Sequence, residues 1–180
     1  MSSKKKRQRE DEIHKFAGNE NIQGFSKELC KNQVHLQEIS SILKNEQCPS
    51  SAIPFKAGEQ AINLDSYEIE RAKHARCERK PTVDFVLGLE GCWLLMVEIK
   101  YGVHTNKMNT VAKKIREIKE YSFGILNRSS KYRCESKLVI LLKDDNFQRL
   151  KSYLLNCLSK DVKSYKIMKV SEFYDEYFVG

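Results

Sequence analysis

Asp84, Glu98 and Lys100 stand at the ends of the most apolar stretch of the sequence, PTVDFVLGLEGCWLLMVEIKYG at residues 81–102, in a 180-residue chain that is 31% charged. A charge inside an apolar strand costs on the order of several kcal/mol unless it is paired or holds a metal. Here the charges fall where the run begins and ends. Because side chains alternate along a strand, Glu98 and Lys100 share one face while Val97 and Ile99 share the other. An acid and an amine therefore project together.

The stretch reads as a hairpin of two strands, residues 82–89 and 93–101, turning at LEGC, residues 89–92. If Glu90, Gly91 and Cys92 form a three-residue loop, Leu89 pairs with Trp93 and Asp84 falls opposite Glu98, with Cβ atoms about 4.5–5.5 Å apart. A two-residue loop would oppose Asp84 to Val97 and turn Glu98 to the far side. In the first register two carboxylates face each other, which destabilises a sheet unless a cation lies between them. Hard oxygen ligands suit Mg²⁺, which takes one or two protein carboxylates and completes its shell with water.

The elements that must hold this hairpin are read from periodicity. Phe25, Leu29, Leu36, Ile39 and Leu43 recur at helical spacing, so residues 25–44 predict one amphipathic helix that ends before Pro49 and Pro54. In AINLDSYEIERAK, residues 61–73, Ile62, Leu64, Ser66, Tyr67 and Ile69 alternate imperfectly and predict a strand with a bulge. After the hairpin, Met108, Val111, Ala112, Ile115, Ile118 and Ile125 predict a helix that Thr105 or Asn106 can cap. SKLVILLKDD is a buried strand, DNFQRLKSYLLNCLSK a helix, and SYKIMKVSEFYDEYF a short strand with a last helical turn. Helix, three strands, helix, strand, helix, strand make an α/β fold whose mixed sheet begins as a meander and continues through helical crossovers.

Composition sets the boundaries. The length suits one packed domain, residues 11–180, preceded by a disordered basic tail over residues 1–10. Lys4, Lys5, Lys6, Arg7 and Arg9 lie in that tail with Glu10, leaving 27 of the 32 basic residues against 23 of the 24 acidic ones in the body. Such an arm suits phosphate contact, an import signal or plain solvation. No run reaches the roughly 18 apolar residues of a membrane span, and no apolar segment follows the N-terminal lysines. The six cysteines form no CxxC pair. These features predict a chain without membrane partners that keeps its thiols reduced, cytoplasmic or, in a eukaryote, nuclear.

Asp84 in PTVDF, thirteen intervening residues, and Glu98-Ile99-Lys100 in VEIK resemble the motif of the PD-(D/E)XK nucleases, the restriction-endonuclease-like superfamily. Val83 stands where that pattern has Pro. The family's core order of helix, three strands, helix and strand is similar to the order read over residues 25–144. The resemblance implies a three-layer sandwich, a mixed central sheet flanked by helices. It also implies a metal-dependent nuclease acting on nucleic acid, with DNA the expected substrate and homodimerisation a further expectation. By this resemblance Asp84, Glu98 and the Ile99 carbonyl hold Mg²⁺, or Mn²⁺ in its place, and Lys100 orients or activates the attacking water. It further implies an acid from the first helix, Glu28 or Glu38, and a lysine from the helix after the third strand, Lys113 or Lys114. His104 follows closely enough to reach the site. The competing class is a noncatalytic module that keeps the fold to bind nucleic acid or a protein.

Overall fold

The computed structural model describes residues 13–30 and 35–179. Lys4, Lys5, Lys6 and Arg7 lie outside the described residues. Six strands form one sheet in sequential order: β1 (Leu36–Glu38), β2 (Gln60–Asn63), β3 (Phe85–Leu89), β4 (Trp93–Lys100), β5 (Arg133–Leu142) and β6 (Tyr165–Met168). Strands β1 to β4 pair antiparallel, while β4–β5 and β5–β6 pair parallel. Parallel neighbours need a long connection, and the helices α4 (Met108–Leu126) and α5 (Phe147–Cys157) supply it. This is the predicted α/β class, with a meander leading into helical crossovers.

The central strands are apolar on both faces because both are covered. Val86, Leu94, Met96, Leu138 and Ile140 pack with α4, α5 and α1 (Glu20–Leu29). Phe85, Leu87, Leu95, Val97, Val139 and Leu141 pack on the other side with α2 (Ile39–Asn45) and α6 (Val170–Phe178). Helix α1 lies so close to β3 that a Cβ on Gly88 would meet the Ile22 backbone nitrogen at 2.7 Å. Only glycine permits that approach.

Two predicted elements are corrected. The single helix over residues 25–44 is two helices separated by β1, whose Gln37 pairs with Ala61 of β2. Phe25 and Ile39 fall in register on one helical wheel, yet they bury on opposite faces of the sheet. One helix cannot serve both faces, so the chain crosses at the sheet edge. The predicted bulged strand over residues 61–73 is β2 followed by helix α3 (Leu64–Ala75). Asn63 caps that helix by accepting a hydrogen bond from the Ser66 N–H at 2.9 Å. A buried Glu68 occupies its inward face where an apolar residue would have shown the helical period. At the C-terminus the predicted last turn is a nine-residue helix, α6. None of the six cysteines is in a disulfide. Among the described residues no helix is long and apolar enough to cross a membrane.

Candidate active site

The hairpin adopts the three-residue register. Leu89 pairs with Trp93 and Phe85 with Val97, so the next step of the ladder sets Asp84 opposite Glu98. The turn runs through left-handed backbone at Gly91 (φ 64°) and Cys92 (φ 61°). Glycine takes that conformation freely, whereas at Cys92 it costs about 1–2 kcal/mol.

Glu98, Lys100 and Asp84 lie on the face covered by α4. Glu98 is 1% exposed, and its Oε1 is ion-paired with Lys100 Nζ. Lys100, 22% exposed at its side chain, also donates to the Ile99 carbonyl at 3.2 Å. Across the hairpin the Ile99 N–H donates to Asp84 Oδ2 at 2.6 Å. The four groups thereby hold each other in place, with one atom left over. The exception is Glu98 Oε2, which is buried and has no hydrogen-bond partner. An unsatisfied buried carboxylate oxygen costs more than a neutral group would, so it needs a physical reason.

Electrostatics describe the same strain. Burial, and then the facing charge of Glu98, push the Asp84 carboxyl up to about 8, against the pull of Lys100. Burial raises Glu98 as well, with Lys100 opposing. Burial alone would lower the Lys100 ammonium, but the Glu98 carboxylate outweighs it and holds that group above its ordinary value. The pocket thus contains more proton affinity than two carboxylates and an amine have in water. A cation that binds there must displace a proton, so its binding tightens as pH rises.

The approach to Asp84 is fixed from outside the hairpin. Glu68 on α3 is fully buried and accepts from Arg71 Nε at 2.6 Å, from the Lys80 N–H at 2.8 Å and from the Tyr121 hydroxyl at 3.1 Å. The Val83 N–H donates to Ser122 Oγ at 2.9 Å, and the Thr82 hydroxyl to Asp65 at 3.1 Å. Residues 80–83 are therefore tied to both α3 and α4 just before Asp84 begins.

Of the residues predicted for the site, Asp84, Glu98, Ile99 and Lys100 come together. Glu28 and Glu38 do not join them. Glu28 is exposed on α1 and its field reaches Lys131, which precedes the opposite end of β5. Glu38 ends strand β1 and accepts from the Gly58 N–H at 3.1 Å, two strands away and near the level of Gly88. Lys113 and Lys114 are exposed on α4, Lys113 lying 4.0 Å from Glu117, because the inward face of that helix is Met108, Ala112, Ile115 and Ile118. His104 is exposed on the loop after β4.

Two acids that the sequence reading passed over act on the site from nearby. Asp65 raises Glu98 and Glu46 raises Asp84. Asp65 became visible only with α3, whose first turn it occupies, and the Asn63-to-Ser66 cap was the available signal. Among the described residues no group of three or more His, Cys, Asp or Glu side chains is arranged to hold a metal. The local donor set is two carboxylates and a backbone carbonyl, all hard oxygens of the kind Mg²⁺ takes together with water. The unpartnered Glu98 Oε2 fits such an ion.

Compared with protein-family models, curated proteins and solved structures, the chain has no match.

Proposed function

We propose that the chain is a Mg²⁺-dependent nuclease of the PD-(D/E)XK kind, built on a restriction-endonuclease-like sandwich, that hydrolyses phosphodiester bonds in DNA. The observation that carries this reading is the buried, unpartnered Oε2 of Glu98 opposite Asp84, with the Lys100 ammonium on the same face. Asp84, Glu98 and the Ile99 carbonyl would hold the ion, with Mn²⁺ able to replace it. When bound, it supplies Lewis-acid polarisation of the phosphoryl group and acidifies the attacking water.

The chain's own groups do the positioning. The Ile99 N–H fixes one Asp84 oxygen, leaving the other for a ligand. Glu98 holds the Lys100 ammonium at the more exposed side of the cluster, where it would orient water and stabilise negative charge developing on the phosphate. Burial removes competing solvent and strengthens each of these interactions.

Plasmid nicking with Mg²⁺ and with Mn²⁺, paired with calorimetric metal titration, tests the proposal. The parent should bind the ion and nick, and Asp84→Ala should lose both. Lys100→Ala should keep metal binding while turnover falls about 10²- to 10⁴-fold, the range for loss of one positioned catalytic group. A parent that binds no divalent ion and nicks nothing would leave the noncatalytic binding module as the reading.

A further inference from the structure

Beside the acid–lysine cluster, a cleft of about 400 Å³ opens between the loop after β4 and the loop after β5. His104 and Asn106 line it from the first loop, Lys143 and Asn146 from the second, and Arg149 from the first turn of α5. Lys100 pairs with Leu142 across the parallel strands, so Lys143 begins one residue beyond the partner of Lys100, on a strand only about 4.8 Å away. Cleft and cluster share one edge of the sheet, the carboxyl ends of two parallel strands, where open α/β sheets place their ligands.

The charges of the cleft are unbalanced. Among the described residues neither Lys143 nor Arg149 has an ion-pair partner. The adjacent Asp144 is drawn away to Lys169 at 3.4 Å, and Asp144 and Asp145 line a separate hollow with Tyr101, on whose rim Lys143 also stands. The lining holds an ammonium, a guanidinium, two carboxamides and the His104 imidazole. Such a set binds phosphate oxygens, with arginine offering paired donors. Contacts from such donors to phosphate fix position along the backbone and carry no sequence information directly.

We infer that this cleft is a subsite for a backbone phosphate of the DNA strand flanking the bond to be cleaved. The inference rests on the nuclease reading above. It also explains why two cations are left unpaired beside a site that must receive a polyanion.

Binding of a short fluorescein-labelled DNA duplex to the full chain, followed by anisotropy over a salt series with EDTA present, tests it without cleavage. Lys143→Ala and Arg149→Ala should each make the log–log salt dependence shallower by about 0.9, and the double variant by about twice that. Lys56→Ala, at an exposed lysine in the loop before β2, should keep the parental slope. Melting temperatures confirm that each variant is folded. If the parent binds DNA and the double variant keeps its slope, or Lys56→Ala loses as much, the cleft is not the subsite and the nuclease reading still stands. If the parent binds no DNA at any salt concentration, both fall.

Discussion

Glu98 and Asp84 face each other as like charges, but their surroundings make them unequal. Glu98 is ion-paired with Lys100, so Glu98→Gln strands a largely buried ammonium. Removing one partner of a buried pair costs about 3–5 kcal/mol. Asp84 makes its hydrogen bond to the Ile99 N–H, which an amide oxygen also accepts. Asp84→Asn therefore relieves a poorly accommodated charge at little loss. With EDTA present at neutral pH, the melting temperature should rise for Asp84→Asn, by a stabilisation on the order of 1–4 kcal/mol, and fall for Glu98→Gln. A fall in both would mean that the facing carboxylates do not strain the metal-free site. The sequence reveals the three charges because charge at the end of an apolar run stands out. It conceals which Glu98 oxygen stays unpaired, since that depends on how the lysine folds back along its own strand.

Helix α3 shows how an element can disappear from a sequence and still govern a site. Its inward-facing residue is Glu68, which breaks the apolar period, and its cap lies at the end of a four-residue strand that reads as longer. The Arg71 guanidinium, with the Lys80 N–H and the Tyr121 hydroxyl, holds the Glu68 carboxyl below its ordinary value despite burial. A depressed carboxyl stabilises the fold above its unfolded value of about 4.3 and loses that contribution as pH falls through the folded value. Glu68→Gln should therefore destabilise the protein by about 2 kcal/mol or more near neutrality, and the gap to the parent should close as pH drops below about 4. A gap that stayed constant through that range, read from denaturant midpoints, would place the loss in packing and not in charge. The long helix predicted over residues 25–44 fails for a different reason. Helical spacing continues by coincidence from α1 into α2, and nothing local reports that Phe25 and Ile39 serve different faces.

For the molecule as a whole, the α/β class and the change from meander to crossover are legible because β3, β4 and β5 are long apolar runs and α4 has a regular stripe. The short edge strand β1 is not, since three residues carry no period. The two sides of β4 are held by different kinds of partner. Parallel pairing with β5 from Trp93 to Lys100 locks β4 in place, so the face that Glu98 presents does not depend on the hairpin. The loop of Glu90, Gly91 and Cys92 determines only how β3 aligns against it. The turn consequently acts as a parity check on the site. If a variant lacking Gly91 kept a three-residue loop, β3 would slip by one position, carry Asp84 to the α2 side and set a leucine Cβ where Gly88 now admits the Ile22 backbone nitrogen. Such a variant should melt lower than the parent and lose divalent-ion binding in calorimetry, and restoring a glycine to the turn should bring both back. Retained binding in the deletion variant would break the link between turn and site. The alignment of this hairpin is thus a matter of counting that no individual side chain displays.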